Sequence, residues 1–334
     1  MEKSLNMNYK EVFNTMVDET AQYLIDNNLN AMILGISGGI DSTLTAAICS
    51  EVENRYPEKK FYGVSLPCSS NTNDENNSAM SCLKAFCKPD QYWVENLQKE
   101  FRLMRDTCYQ NGPISSIGAG NIKARLRMIY LYDIAQKTRG IVMDTDNLTE
   151  HYLGFFTIHG DVADFNPIGG LWKHEVYELT NWLKDHYDEF VHYISPDSFN
   201  SKDEIETRNY YARKVEALSY ALGITPTDGN GVNDLGDMGQ IAPNFAHDSN
   251  YEAYTKVDDI ILTFLEKIKP FWSEISSNKT QKLREGACEA YKILQELNEK
   301  YDPDTVGGVI RRHLNTEFKR HPMPLAIPRD KYDF

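Results

Sequence analysis

Ser37-Gly38-Gly39-Ile40-Asp41-Ser42 sets two glycines, two hydroxyls and a carboxylate into six positions. Such glycines let successive backbone N–H groups turn inward as an anion nest, and a helix starting there adds its partial positive charge. Ser37 and Ser42 can donate to the same anion. A carboxylate beside a bare phosphate is repelled, so Asp41 points to a cation between them; Mg²⁺ takes carboxylate and phosphate oxygens together. The plainer alternative is a capped helix after a tight turn, with Ser or Asp as the cap. No Lys follows the glycines, as G-x-x-x-x-G-K-[ST] requires, and "GISGGI" lacks the spacing of G-x-G-x-x-G.

The elements around this turn follow from hydrophobic patterning. "AMILGI" (31–36) reads as a buried strand and "DSTLTAAICSEVENRY" (41–56) as the helix after it. "FYGVSL" (61–66), "QYWVEN" (91–96) and "IVMDT" (141–145) are further strands. Between them run an acid-led helix (74–87), another from about Leu97 to Cys108, a loop "NGPISSIGAG" (111–120), and a long helix (121–138) closed by Gly140. Strand and helix alternate four times. The expected fold class is therefore α/β, a doubly wound, mainly parallel sheet with helices on both faces. Ligands bind such sheets beyond the C-terminal ends of the strands. After residue 180 helices dominate (181–194, 209–222, 254–268 and 280–301), and a Gly- and Pro-rich loop covers 225–240. The tail from Thr316 is basic and Pro-rich.

Composition narrows the partners. Lys+Arg 35 against Asp+Glu 49 gives a net charge of -14, which argues against a large nucleic-acid surface. No apolar run approaches the roughly 18 residues of a membrane span, and the first residues lack a signal-peptide pattern. A cytoplasmic protein without membrane partners is expected. The six cysteines form no C-x-x-C pair and the histidines no metal signature, so free thiols and no imidazole-held metal follow.

S-G-G-x-D-S at a first strand–helix turn resembles the pyrophosphate loop of the N-type ATP pyrophosphatases, which adenylate a substrate oxygen and release pyrophosphate. Later segments are similar to one branch, NAD synthetase: "GNIKARLRMIYLYDIA" (120–135), "DTDNLTEHYLGFFTIHGD" (144–161), "ADFNPIGGLWKHEVYEL" (163–179), "PTDG" (226–229) and "TEFKRHP" (316–322). They occur in the family's order between residues 35 and 322. The resemblance implies one domain over residues 1–334, a core of about 10–245 plus a helical C-terminal part of about 246–334.

The resemblance also implies roles. ATP contacts fall on Gly35, Ile36, Ser37, Gly38, Gly39, Ile40, Asp41, Ser42, Thr145, Lys173 and Thr227. Asp41 and Glu150 would share Mg²⁺. Lys173, near a helix start where a surface Lys opposes the dipole, would meet an ATP phosphate. Deamido-NAD contacts fall on Arg125, His159, Asp164, Phe318 and Lys319. Two positions depart from the family: Ile158 stands where a substrate-binding Lys is usual, and Phe318 replaces a His. With the loop at residue 37, there is no room upstream for the amidase domain of glutamine-dependent relatives. Ammonia is expected from solution or a partner chain, and a homodimer is implied.

The expected reaction is ATP-dependent amidation of deamido-NAD by ammonia through an adenylated nicotinate carboxylate, giving NAD, AMP and pyrophosphate. No protein nucleophile is needed, because catalysis would be positioning and charge stabilisation. Two alternatives stay open: another ligase of this class acting on a different carboxylate, and a non-catalytic nucleotide-binding protein.

Overall fold

Apolar residues alternate along the central strand, and each set is buried on a different face. In β1 (Ala31–Gly35), Met32 and Leu34 join one hydrophobic cluster while Ala31 and Ile33 join another. A strand buried on both faces belongs inside a parallel sheet. The computed structural model describes residues 7–68, 71–110, 112–189, 201–224, 249–277 and 283–320, with backbone alone at 201–208. It contains β1, β2 (Lys60–Ser65), β3 (Tyr92–Val94) and β4 (Gly140–Val142) in the order β3-β2-β1-β4, every pair parallel. The order reverses between β1 and β4, which makes their C-terminal ends the switch point.

Helices cover both faces. α1 (Tyr9–Asp26), α2 (Ile40–Arg55) and α3 (Asn73–Phe86) share the larger cluster with later helices. α2 is buried almost all round, as expected of a helix within a core rather than on a surface. α4 (Gln98–Tyr109) and α5 (Ser116–Thr138) cover the opposite face through Phe101, Met128, Leu131 and Ile134. α6 (Leu148–Leu153), α7 (Lys173–His186) and α8 (Ser201–Gly223) follow β4. The C-terminal helices are α9 (Asn250–Thr263), continued by a π-turn over Phe264–Ile268, then α10 (Trp272–Ser276), α11 (Glu285–Lys300) and α12 (Pro303–Asn315).

Two local expectations are corrected. The 111–120 loop ends early, because Ser115 caps α5 by accepting from Gly118 N at 3.0 Å, so helix begins at Ser116. That helix is closed by Arg139 in the left-handed region (φ 53°), not by Gly140. Gly140 instead lies in β4, where a Cβ would fall 2.6 Å from Ala31 O.

Candidate active site

The glycine turn joins β1 to α2 as expected, and its details separate an anion nest from a capped helix. The N-cap of α2 is Gly39, which brings no capping side chain, and Ser37 Oγ accepts from Gly39 N itself at 3.2 Å. Ser42 and Thr43 hydroxyls turn back to Gly39 O at 3.1 and 2.9 Å. The first-turn N–H groups of α2 are therefore left for an anion. Gly38 (φ 89°) admits no side chain: a Cβ would lie 2.5 Å from Glu75 O and 2.7 Å from Ala79 N. Ser78 Oγ donates to Gly38 O at 2.7 Å, so α3 holds the nest from behind.

Across the switch point, β4 runs into the 143–147 turn and α6. Asn147 and Glu150 form a capping box, with Glu150 N on Asn147 Oδ1 at 3.0 Å and Asn147 N on Glu150 Oε2 at 3.1 Å. Asn147 Nδ2 donates to Asp41 Oδ1 at 3.0 Å. Lys173, the first residue of α7, has a buried side chain whose ammonium reaches Asp41 Oδ2 at 2.5 Å and Glu150 Oε1 at 3.0 Å. Lys173 is thus already partnered, by the two carboxylates expected to share Mg²⁺. Burial pulls its pKa down, but Asp41 and Glu150 outweigh that and hold it well above the ordinary lysine value.

One ammonium does not balance the acids gathered here. Burial raises the Glu150 carboxyl to about 7, with Lys173 opposing and Asp41 adding to the rise. Burial, then Asp144 and Glu150, push the Asp146 carboxyl well above its usual range. Among the described residues no three His, Cys, Asp or Glu side chains form a ready-made metal cage. Two carboxylates completed by phosphate oxygens and water are nonetheless the donor set that Mg²⁺ takes in ATP sites. Burial and mutual repulsion disfavour the ionised forms of these acids, and a divalent cation would stabilise them.

A cleft of about 600 Å³ opens over these groups. Gly35, Ile36, Ser37, Asp41, Ser42, Thr145, Glu150 and Lys319 line it. Gly38, Gly39 and Ile40 form the turn behind, and Lys173 lies beneath the two carboxylates. Thr227 and the 225–240 segment lie outside the described residues. The remaining substrate candidates do not line the cleft. Arg125 is exposed and donates to Ile158 O at 3.2 Å, which brings it close to exposed His159 (φ 58°). Asp164 accepts from Tyr132 OH at 2.8 Å and Val142 N at 2.9 Å. Phe318 is 57% exposed. Lys319 donates to Gly154 O and Phe156 O at 2.8 and 2.6 Å.

Sequence reasoning missed several cleft residues. Lys123 and Arg127 lie one turn apart on the inner face of α5, and Arg312 enters from α12. The four-residue spacing of Lys123, Arg127 and Leu131 carried the signal for the first two. The N-x-x-E pattern of Asn147 and Glu150 marked the capping box. Nothing local marked Arg312.

A parallel sheet with an uncapped glycine nest at its switch point, facing two carboxylates, is the α/β arrangement that the likeness to the N-type ATP pyrophosphatases predicts. Residues 12–203 match the family model described as NAD synthase. The chain belongs to the NAD synthase family. The NH(3)-dependent NAD(+) synthetase of Sulfurisphaera tokodaii is 32% identical over 182 residues, 54% of this chain and 62% of that enzyme. The chain therefore matches less than two thirds of that relative's length. The enzyme of the same name from Campylobacter jejuni (strain 81-176) is 29% identical over 216 residues, 64% of this chain and 83% of that one. Two solved structures share the fold. NMN synthetase from Francisella tularensis has a TM-score of 0.60 at 20% identity, covering 97% of this chain and 100% of its own. A glutamine-dependent NAD(+) synthetase from Cytophaga hutchinsonii has a TM-score of 0.60 at 12% identity, covering 96% of this chain and 51% of its own.

Proposed function

We propose that this chain is an ammonia-dependent NAD synthetase, a ligase that amidates deamido-NAD at the expense of ATP. The observation that carries the reading is the meeting of Asp41, Glu150 and Lys173, from three separate elements, beside an uncapped helix N-terminus. In the proposed reaction a nicotinate oxygen attacks the α-phosphorus of ATP, and the bond to the β-phosphate bridging oxygen breaks to release pyrophosphate. Ammonia then attacks the carboxyl carbon, the bond to AMP breaks, and the proton shed by nitrogen passes to solvent. The Ser37–Ser42 nest would hold the departing phosphates with N–H and hydroxyl donors. Lys173, beneath both carboxylates, would hold Asp41 and Glu150 in place. Asp41 and Glu150 would hold Mg²⁺, which would supply charge neutralisation for the departing pyrophosphate.

Arg125, His159, Asp164, Phe318 and Lys319 are proposed for the deamido-NAD end, and a homodimer is proposed with them. Support comes from α5, whose outer face carries exposed Ile117, Ile129 and Tyr132 on the same side as Arg125. A second copy seated there would bury that apolar strip and bring Arg125 into an interface. No helix among the described residues is long and apolar enough to cross a membrane. The six free cysteines support the proposed cytoplasmic setting.

A second reading is favoured by the substrate end. Ile158 contributes no cation, Phe318 faces solvent, and the Lys319 ammonium is held by two carbonyls. A sister ligase would amidate the same pyridine carboxylate on a smaller handle, nicotinate mononucleotide. ATP–pyrophosphate exchange decides. Exchange that requires deamido-NAD, with NAD formed on adding ammonia, supports the first reading. Exchange with the mononucleotide alone supports the second, and exchange with neither overturns both.

A further inference from the structure

The ammonium of Lys173 is fixed by Asp41 and Glu150, but its backbone is fixed from elsewhere. The N-cap of α7, Trp172, brings no capping side chain, and its own N–H goes to Glu175 Oε2 at 2.8 Å. The first donors of the helix go to distant partners: Lys173 N to Thr149 Oγ1 at 2.9 Å and His174 N to Asp258 Oδ2 at 3.1 Å. The Thr149 hydroxyl passes its own hydrogen to Asp258 Oδ1. His174 Nδ1 adds a third contact to Asp258, at 2.9 Å from Oδ2. Thr149 and Asp258 are both buried, which shields this linkage from water.

We propose that Asp258 is a positioning residue for the catalytic centre, holding Glu150 and Lys173 in register through the Thr149 hydroxyl and the N-terminus of α7. The inference rests on the reading that this centre adenylates a carboxylate. Thr149 precedes Glu150 directly, and the Thr149 hydroxyl accepts from the residue whose ammonium touches Glu150. One carboxylate on α9 therefore ties α6 to α7 behind the site. The same helix also shapes the front: Tyr254, one turn before Asp258, lines the cleft with its ring 5.3 Å from Lys173 Nζ. α9 lies beyond residue 203, where the family match ends. A negative charge at the N-terminal N–H of His174 is also favoured by the α7 dipole.

Positioning and mere stability can be separated by substitution. Asp258→Asn presents an amide N–H₂ to donors and can accept fully at one oxygen only. Thr149→Val keeps the volume and leaves Lys173 N–H unsatisfied. Each variant should lower kcat for pyrophosphate exchange by about a hundredfold, the scale of a small misplacement of a reacting group. KM for ATP should stay within about threefold, because the nest is untouched. Thr149→Ser restores the hydroxyl and should recover most of the turnover that Thr149→Val loses. The double variant should fall no more than about threefold below the worse single, since both act through one linkage.

Native-state hydrogen exchange supplies a readout independent of activity. Thr149→Val should speed exchange at the Lys173 amide by about tenfold or more while amides in the centre of α2 keep their protection. Turnover of Thr149→Val near wild type, or a double variant reduced by the product of the singles, overturns the positioning role. A wild-type protein that exchanges pyrophosphate with no pyridine carboxylate overturns the reading of the centre instead. The Lys173 amide would then still report whether the linkage exists.

Discussion

Asn147 and Asp41 are joined by a hydrogen bond of 3.0 Å, although 106 residues of chain separate them. Asn147 thus does two things: its oxygen caps α6 and its amide steadies the carboxylate of the glycine turn. The two roles can be separated. Asn147→Ser keeps a capping oxygen and loses the reach to Asp41, whereas Asn147→Ala loses both. Both variants should lose activity to a similar extent. Only Asn147→Ala should lose a further ~1 kcal/mol of stability, the usual worth of an N-cap. Steady-state kinetics and urea unfolding on the same preparations check this.

Asp41→Asn keeps the size of the side chain and removes its charge. Turnover should fall by about a hundredfold or more, because electrostatic stabilisation of the departing phosphates is worth several kcal/mol. Raising Mg²⁺ should not restore it. Near-normal pyrophosphate exchange at saturating Mg²⁺ would remove Asp41 from the metal-holding pair.

Burial pushes the Glu150 carboxyl up to about 7 in the fold, from an ordinary glutamate value of 4.5. A raised folded-state pKa means that its contribution to stability is complete below about 4.5 and is lost as pH rises through about 7. Glu150→Gln mimics the neutral form. Its Tm relative to wild type should therefore rise between about pH 5 and pH 8 in metal-free buffer. Mg²⁺ with ATP should shrink that difference by stabilising the ionised wild type. A pH-independent difference would show that Glu150 ionises normally in the fold.

Gly38→Ala tests the packing behind the nest. The residue holds a positive φ, and an added Cβ would meet backbone atoms of α3 at 2.5 and 2.7 Å. Strain alone costs about 1–3 kcal/mol, and the clash adds to it. Gly170→Ala, with nothing within 4 Å of the new Cβ, should stay within about 0.5 kcal/mol of wild type. Urea midpoints at unchanged m-value give the comparison.

The four strands and the glycine turn were legible because a parallel sheet writes short apolar runs and the nest requires glycine at fixed positions. α1 and α12 were not read. In α12, Gly307 and Gly308 depress helical propensity, and burial of Val306, Val309 and Ile310 decides instead. The start of α5 was hidden by Gly118 and Gly120, although Ser115 was the cap that announced it. Asp41 was legible in the glycine turn itself, whereas the roles of Glu150 and Lys173 came from family likeness. Their mutual contact, and that of Asp258 with Thr149, depends on chain segments far apart in sequence. No window of residues contains both partners.

Asp164 has a consequence for how the molecule behaves in a crowd. β4 is a three-residue edge of the sheet, and an open edge offers its N–H and C=O groups to any passing strand. Here the Asp164 carboxylate takes Val142 N and its own N–H takes Val142 O, while Met143 pairs with Phe165 just beyond. Among the described residues, the edge beside the cleft is thereby covered at Val142 by a few residues of its own chain. The outward N–H and C=O of Val142 are already taken, so a passing strand finds little template on this side for sheet-to-sheet growth.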